Sequence, residues 1–143
     1  TTYSVDEAEA VGAALDARFD DVQRPAASDI CYATTNRQAA VRAIAVRADA
    51  MIVAGESFSS NACRLAELAD AAGCPSVQRV ADADDLDWSL LPPTGSLGIT
   101  AAASTPESVV ADILDALRSR YRIRIEEVKA AEETISFKRV AIG

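Results

Sequence analysis

Histidine is absent from all 143 residues, which removes Ser-His-Asp and Cys-His catalysis and every histidine-containing metal site from within the chain. Long apolar runs are missing too. None approaches the roughly 18 residues of a membrane span, and the first residues lack the basic-then-apolar form of a signal peptide, so the expectation is a cytoplasmic protein without a membrane partner. Lysine and arginine number 14 against 22 aspartates and glutamates, a net charge of -8. The broad positive field that draws phosphate backbones is therefore lacking, which argues against nucleic acid. The three cysteines, Cys31, Cys63 and Cys74, form no CxxC pair and are odd in number. They read as reduced thiols rather than a disulfide framework. Neither glycine-rich phosphate fingerprint occurs. The chain opens on Thr1 rather than methionine, as a fragment or processed product would.

Half of the residues are hydrophobic and a quarter charged, the balance of one globular domain able to bury about two-thirds of its unfolded surface. Ser4 and Glu7 have capping-box spacing, and Val11, Leu15 and Phe19 recur at i+4, predicting a helix over residues 5–19. A second such pair, Thr35 with Gln38, predicts a helix running to about Arg47, its stripe formed by Val41, Ile44, Ala45 and Ala48. Residues 51–54, closed by Gly55, read as a strand buried on both faces. Leu65, Leu68, Ala69 and Ala72 give helical spacing, ended by Gly73 and Pro75. Residues 77–80 and 97–100 read as strands. Thr105 and Pro106 open a helix lined by Val109, Val110, Ile113, Leu114 and Leu117, and residues 123–128 and 134–140 are candidate further strands. The order implies an α/β fold, a three-layer αβα arrangement around a mainly parallel sheet, with ligands bound at the carboxyl ends of strands.

Three loops could carry chemistry there. Cys31 lies just before a helix, whose N-terminus favours the thiolate that binds iron, although a half-buried structural cysteine is the plainer reading. Residues 55–61, GESFSSN, bring hydroxyls, an amide and free N–H groups to a helix start. That is a neutral cradle for phosphate, or ordinary capping by Ser59 or Ser60. Residues 100–107, TAAASTPE, combine small residues with Ser104, while Thr105 and Glu107 have default roles as cap and dipole partner. Cys63 and Cys74 read as packing, Trp88 as packing beside Leu90 and Leu91, and Arg118, Arg120, Arg122 and Arg124 as a solvated face.

The decamer DICYATTNRQ at residues 29–38 closely resembles the third cysteine motif of the LytB/IspH family. Ser59-Ser60-Asn61 followed by Arg64-Leu65-Ala66-Glu67, then Gly98-Ile99-Thr100 through Ser104 and Pro106-Glu107, occur in that family's order and approximate spacing. Residues 1–6, TTYSVD, resemble its TTLSVDD segment, and residues 133–140 its closing strand. The resemblance implies the C-terminal domain of a larger three-domain iron–sulfur enzyme, a reductase that converts 4-hydroxy-3-methylbut-2-enyl diphosphate to isopentenyl and dimethylallyl diphosphate in isoprenoid biosynthesis. It further implies a 4Fe-4S cluster held by three cysteines, with Cys31 as one ligand, and ferredoxin or flavodoxin as electron donor. Ser59, Ser60, Asn61 and Ser104 would hold the diphosphate, and Thr1 would lie near the substrate hydroxyl.

By the same resemblance, residues 1–24 are the end of a preceding domain or a leading helix, and residues 25–143 the C-terminal domain. The family's other two cysteines, its histidines and its proton-delivering glutamate lie N-terminal to the part represented, so the isolated chain is expected to be inactive. Lost neighbouring domains would leave apolar surface open to homodimer formation. Departures occur at Glu56, where serine is usual, at Phe58, where asparagine is usual, and at Ala102, where glycine is usual and a positive φ would be resisted. They leave a second reading, a divergent stand-alone diphosphate-binding or interaction module without catalysis.

Overall fold

A computed structural model of the chain describes residues 5–23 and 32–128. Helices α1 (Val5–Asp16) and α2 (Tyr32–Ala45) precede strand β1 (Ala50–Ala54), helix α3 (Ser60–Ala71) and strand β2 (Val77–Val80). A short 3-10 turn over Trp88–Leu90, strand β3 (Leu97–Ala101) and helix α4 (Glu107–Arg120) complete the order. The sheet runs β2-β1-β3 with both pairings parallel. This is the α/β architecture that the strand, loop and helix order implies.

The central strand explains the layers. Every residue of β1 is buried, and the strand's two-residue period sends its side chains alternately to two apolar clusters. Met51 and Val53 meet Val41 and Ala45 of α2 and Ala62, Leu65, Leu68 and Ala69 of α3. Ala50, Ile52 and Ala54 meet Ile113 and Leu117 of α4, together with Val80, Leu86 and Leu91. Burying a side chain the size of Ile52 or Leu65 contributes roughly 1.5–3 kcal/mol, so these two clusters hold the sheet between its helical layers. Helix α1 stands apart. None of the described side chains of α1 belongs to either cluster, and ion pairs from Asp6 to Arg42 and from Glu7 to Arg64 tie it to α2 and α3.

Four local expectations are corrected. Helix α1 ends at Asp16, three residues before Phe19. Helix α2 begins at Tyr32, so Thr35 and Gln38 lie inside it rather than opening it. Thr34 and Gln38 are turned inward, 9% and 1% exposed, and that inward face fixes the earlier start. Residues 122–128 are in no strand. Thr105 is not the cap of α4, because Pro106 holds that position without a side-chain hydrogen bond and the Thr105 hydroxyl is used elsewhere. Residues 134–140 lie outside the described residues.

Candidate functional site

A parallel sheet offers a crevice where the connections leaving two neighbouring strands turn to opposite faces. Strands β1 and β3 meet this condition. From β1 the chain turns into α3 on the Met51 and Val53 face, and from β3 it turns into α4 on the Ile52 face. The loops 55–59 and 102–106 therefore flank one gap at the carboxyl edge, and these are two of the three loops singled out by sequence.

Gly55 sets the width of that gap. A Cβ there would stand 2.8 Å from the Ala62 Cβ at the start of α3 and 3.1 Å from the Ala102 Cβ after β3. Neither distance suits a real methyl group, so glycine permits the two loops to close on each other. Hydrogen bonds hold them there. Ala102 N–H donates to the Ala54 carbonyl at 2.8 Å, and the Thr105 hydroxyl donates to the same oxygen at 3.1 Å. Thr105 is thus a stitch between the loops, a role that its place before a helix did not reveal. No non-glycine residue among those described has a positive φ, so Ala102 adopts its position without backbone strain.

The polar groups at this edge suit an anion. Ser59 caps α3, its oxygen accepting from Ala62 N–H at 3.2 Å, and a hydroxyl that accepts still has a proton to donate. Capping and ligand binding are therefore compatible. The amides of Ser60 and Asn61 in the first turn of α3 have no partner among the described residues, and the start of α4 lacks a side-chain cap. Orphan N–H groups and the positive ends of two helix dipoles thus lie at the sheet edge that also carries Ser104. Ser60 and Ser104 are exposed, and Ser59 and Asn61 are half-buried. Glu56 and Phe58 both face solvent, Phe58 at 83% exposure.

Beside this cradle runs a shallow groove of about 350 Å³ lined by Ser57, Phe58, Ser59, Cys63, Arg64 and Arg79 among others. Arg64 is engaged by Glu7 and Glu67, each at 2.7 Å. Arg79 donates to the Ser57 carbonyl at 3.3 Å, bracing the loop from the neighbouring strand.

The cysteines separate by position. Cys74 is buried near the amino ends of the strands, its Sγ directed at the carbonyls of Ser76 (3.3 Å) and Ala48 (3.7 Å). Cys63, on α3, points its thiol at Glu67 at 3.5 Å. Both agree with packing roles. No group of three histidine, cysteine, aspartate or glutamate side chains able to hold a metal occurs among the described residues, and no described helix is long and apolar enough to cross a membrane. Cys31, which immediately precedes α2, and Thr1 lie outside the described residues.

Residues 1–118 match the family profile described as LytB protein. A 4-hydroxy-3-methylbut-2-enyl diphosphate reductase of Paracoccus denitrificans is 49% identical over 138 residues, 96% of this chain and 44% of that protein. A reductase of the same name from Methylocella silvestris is 47% identical over 137 residues, covering 43% of its length. Among solved structures, the E-1-hydroxy-2-methyl-but-2-enyl-4-diphosphate reductase of Plasmodium falciparum superposes with a TM-score of 0.74 at 34% identity, covering 82% of this chain and 36% of that one. The chain thus spans under half the length of the curated relatives it matches.

Proposed function

Because the chain belongs to the LytB family, we propose that it is the C-terminal part of a 4-hydroxy-3-methylbut-2-enyl diphosphate reductase, supplying the diphosphate cradle and one iron-binding thiolate. The observation that carries this reading is the pair of hydroxyl-bearing loops closed on each other at Gly55. Ser59, Ser60, Asn61 and Ser104 donate to the diphosphate oxygens, reinforced by the free amides of α3. Such neutral donors bind a phosphate without the added positive charge that a chain of net charge -8 does not have to spare.

The four-iron cluster of this family does not fit the described residues alone. A cluster of this kind needs several thiolates, Cys74 is committed to carbonyls at the far end of the sheet, and Cys63 lies on α3 with its thiol at Glu67. Cys31 then contributes one ligand of three, and the remaining two, with the proton-delivering groups, come from polypeptide beyond this chain. Thr1 sits near the substrate hydroxyl. Residues 1–24 belong with the preceding domain, in keeping with the absence of the described α1 side chains from the two apolar clusters. In the whole protein the electrons come from ferredoxin or flavodoxin in the cytoplasm, and the isolated chain, inactive by itself, pairs as a homodimer through surface that the other domains would cover.

Calorimetry with an isoprenyl diphosphate tests the cradle. Ser59→Ala and Ser104→Ala should each weaken binding roughly tenfold, the size of one lost hydrogen bond to a charged group. Unchanged heats in both variants would remove the predicted cradle.

A further inference from the structure

The two halves of the cradle leave different strands, so their separation depends on whatever fixes one loop against the other. A single peptide unit lies between them. The Gly55 N–H donates to the Val80 carbonyl of β2 at 2.8 Å, while the Ala54 carbonyl accepts from Ala102 N–H at 2.8 Å and from the Thr105 hydroxyl at 3.1 Å. A peptide unit is planar, and bonds on both of its sides hold this one as a plate between the neighbouring strands. From that plate the chain passes directly into residues 55–59. These turn back through a bond from Ser59 N–H to the Glu56 carbonyl at 2.9 Å and lead into Ser60 and Asn61 at the start of α3.

The other half is a tight turn. Thr105 N–H donates to the Ala102 carbonyl at 3.0 Å, which makes Ser104 the third of four turn residues. At the first of the four, Ala102 N–H reaches Ala54 by continuing the pairing of β3 with β1. No backbone donor remains to do the same at the last. Thr105 N–H closes the turn itself, and Pro106 has no N–H. The Thr105 hydroxyl takes that place, so the turn is clamped to one carbonyl at both ends with Ser104 between the clamps, and both lone pairs of that oxygen are engaged. Thr105 is half-buried and Ser104 exposed. The clamp thus faces the protein and its neighbour faces solvent, where a turn held at one end only would have to be ordered by the ligand at a loss of affinity.

We propose that Thr105 is a positioning residue for diphosphate recognition, acting through Ser104 by fixing the 102–105 turn to the peptide unit from which the Ser59–Asn61 loop departs. The proposal rests on the reading of these loops as a diphosphate cradle. It gives Thr105 no contact with the ligand, and the hydroxyl is not diverted to capping α4, since Pro106 holds that position.

Calorimetry of the whole chain with isopentenyl diphosphate, run as a double-mutant cycle, tests the proposal. Thr105→Val keeps the shape and removes the hydroxyl, and should weaken binding about fivefold, the effect of one hydrogen bond. Thr105→Ser restores the donor and should bind within about twofold of the unaltered chain. In a Ser104→Ala background Thr105→Val should weaken binding no further, because no hydroxyl is left to position, whereas in a Ser60→Ala background it should keep its full effect. A side chain that only stabilised the fold would lower the melting temperature without this coupling. Equal losses in the two backgrounds, binding by Thr105→Ser as weak as by Thr105→Val, or unimpaired binding by Thr105→Val would each overturn the proposal. Should circular dichroism show Thr105→Val unfolded, Thr105→Ala set against Thr105→Ser makes the same comparison. An unaltered chain that gave no heat with the diphosphate would remove the cradle and this role together, while intact binding with Thr105 uncoupled from Ser104 would remove this role alone.

Discussion

The two ends of the sheet are finished differently. At the amino ends polar groups are spent on the protein itself. The Asp49 carboxylate accepts from Ser96 N–H at 2.8 Å, the Ser76 hydroxyl donates to the Leu90 carbonyl at 2.9 Å, and the Cys74 thiol is turned to two carbonyls. At the carboxyl ends Ser60, Asn61 and Ser104 keep their donors for something else, while the backbone beneath them is stitched by Thr105. One end serves stability and the other keeps unspent hydrogen-bonding capacity, which is where a ligand can gain affinity without first breaking a contact.

This contrast can be broken most sharply at the two glycines. Gly55→Val should be the most disruptive change, since even one methyl group would press on Ala62 and Ala102. Overpacking of this kind costs about 3 kcal/mol, and because it parts the loops, diphosphate binding should fall more than tenfold. Urea unfolding and calorimetry measure the two effects. Gly95→Ala should cost about 2 kcal/mol, because its φ of +135° suits glycine and a Cβ would collide with the Asp49 carboxylate. There, binding should be unchanged. Equal losses of binding in both variants would erase the distinction between the ends.

The smallest effect lies in the crossover between β2 and β3. Hydrogen bonds from the Ser89 hydroxyl (2.6 Å) and Ser89 N–H (2.9 Å) hold the Asp87 carboxyl below its ordinary value of 3.8. A lowered value means that the cap on the 88–90 turn is fully present above pH 3.8 and is lost as the pH falls through the shifted value. Ser89→Ala should move that loss to higher pH. Trp88 reports on it by fluorescence, because it stacks on Tyr121 and is covered by the Arg120 guanidinium 4.0 Å from its ring.

The central strand β1 was legible in the sequence because it is a short apolar run closed by Gly55, and burial on both faces is what such a run requires. The site's loops followed from the strand order. Legibility failed where one residue had two physically sensible uses. Thr35 and Gln38 satisfied the spacing of a helix start, yet the buried faces of Thr34 and Gln38 carried the helix back to Tyr32. Thr105 satisfied the chemistry of a cap, yet a neighbouring strand's carbonyl claimed its hydroxyl. For Thr105 the deciding partner, the Ala54 carbonyl, is distant in sequence, and local pattern does not contain it. Residues 123–128 failed differently, because their strand-like alternation has no neighbouring edge within bonding reach among the described residues.

The attachment of α1 has a consequence outside the fold. Asp6 and Glu7 grip Arg42 and Arg64 with side chains between 23% and 71% exposed, and such pairs are screened over about 8 Å at physiological ionic strength. A helix tied down by exposed ion pairs responds to salt as a counterion does. Concentrated salt should loosen α1 while leaving the sheet intact, so a protease would cut first after Asp16 in brine and show no such preference in dilute buffer.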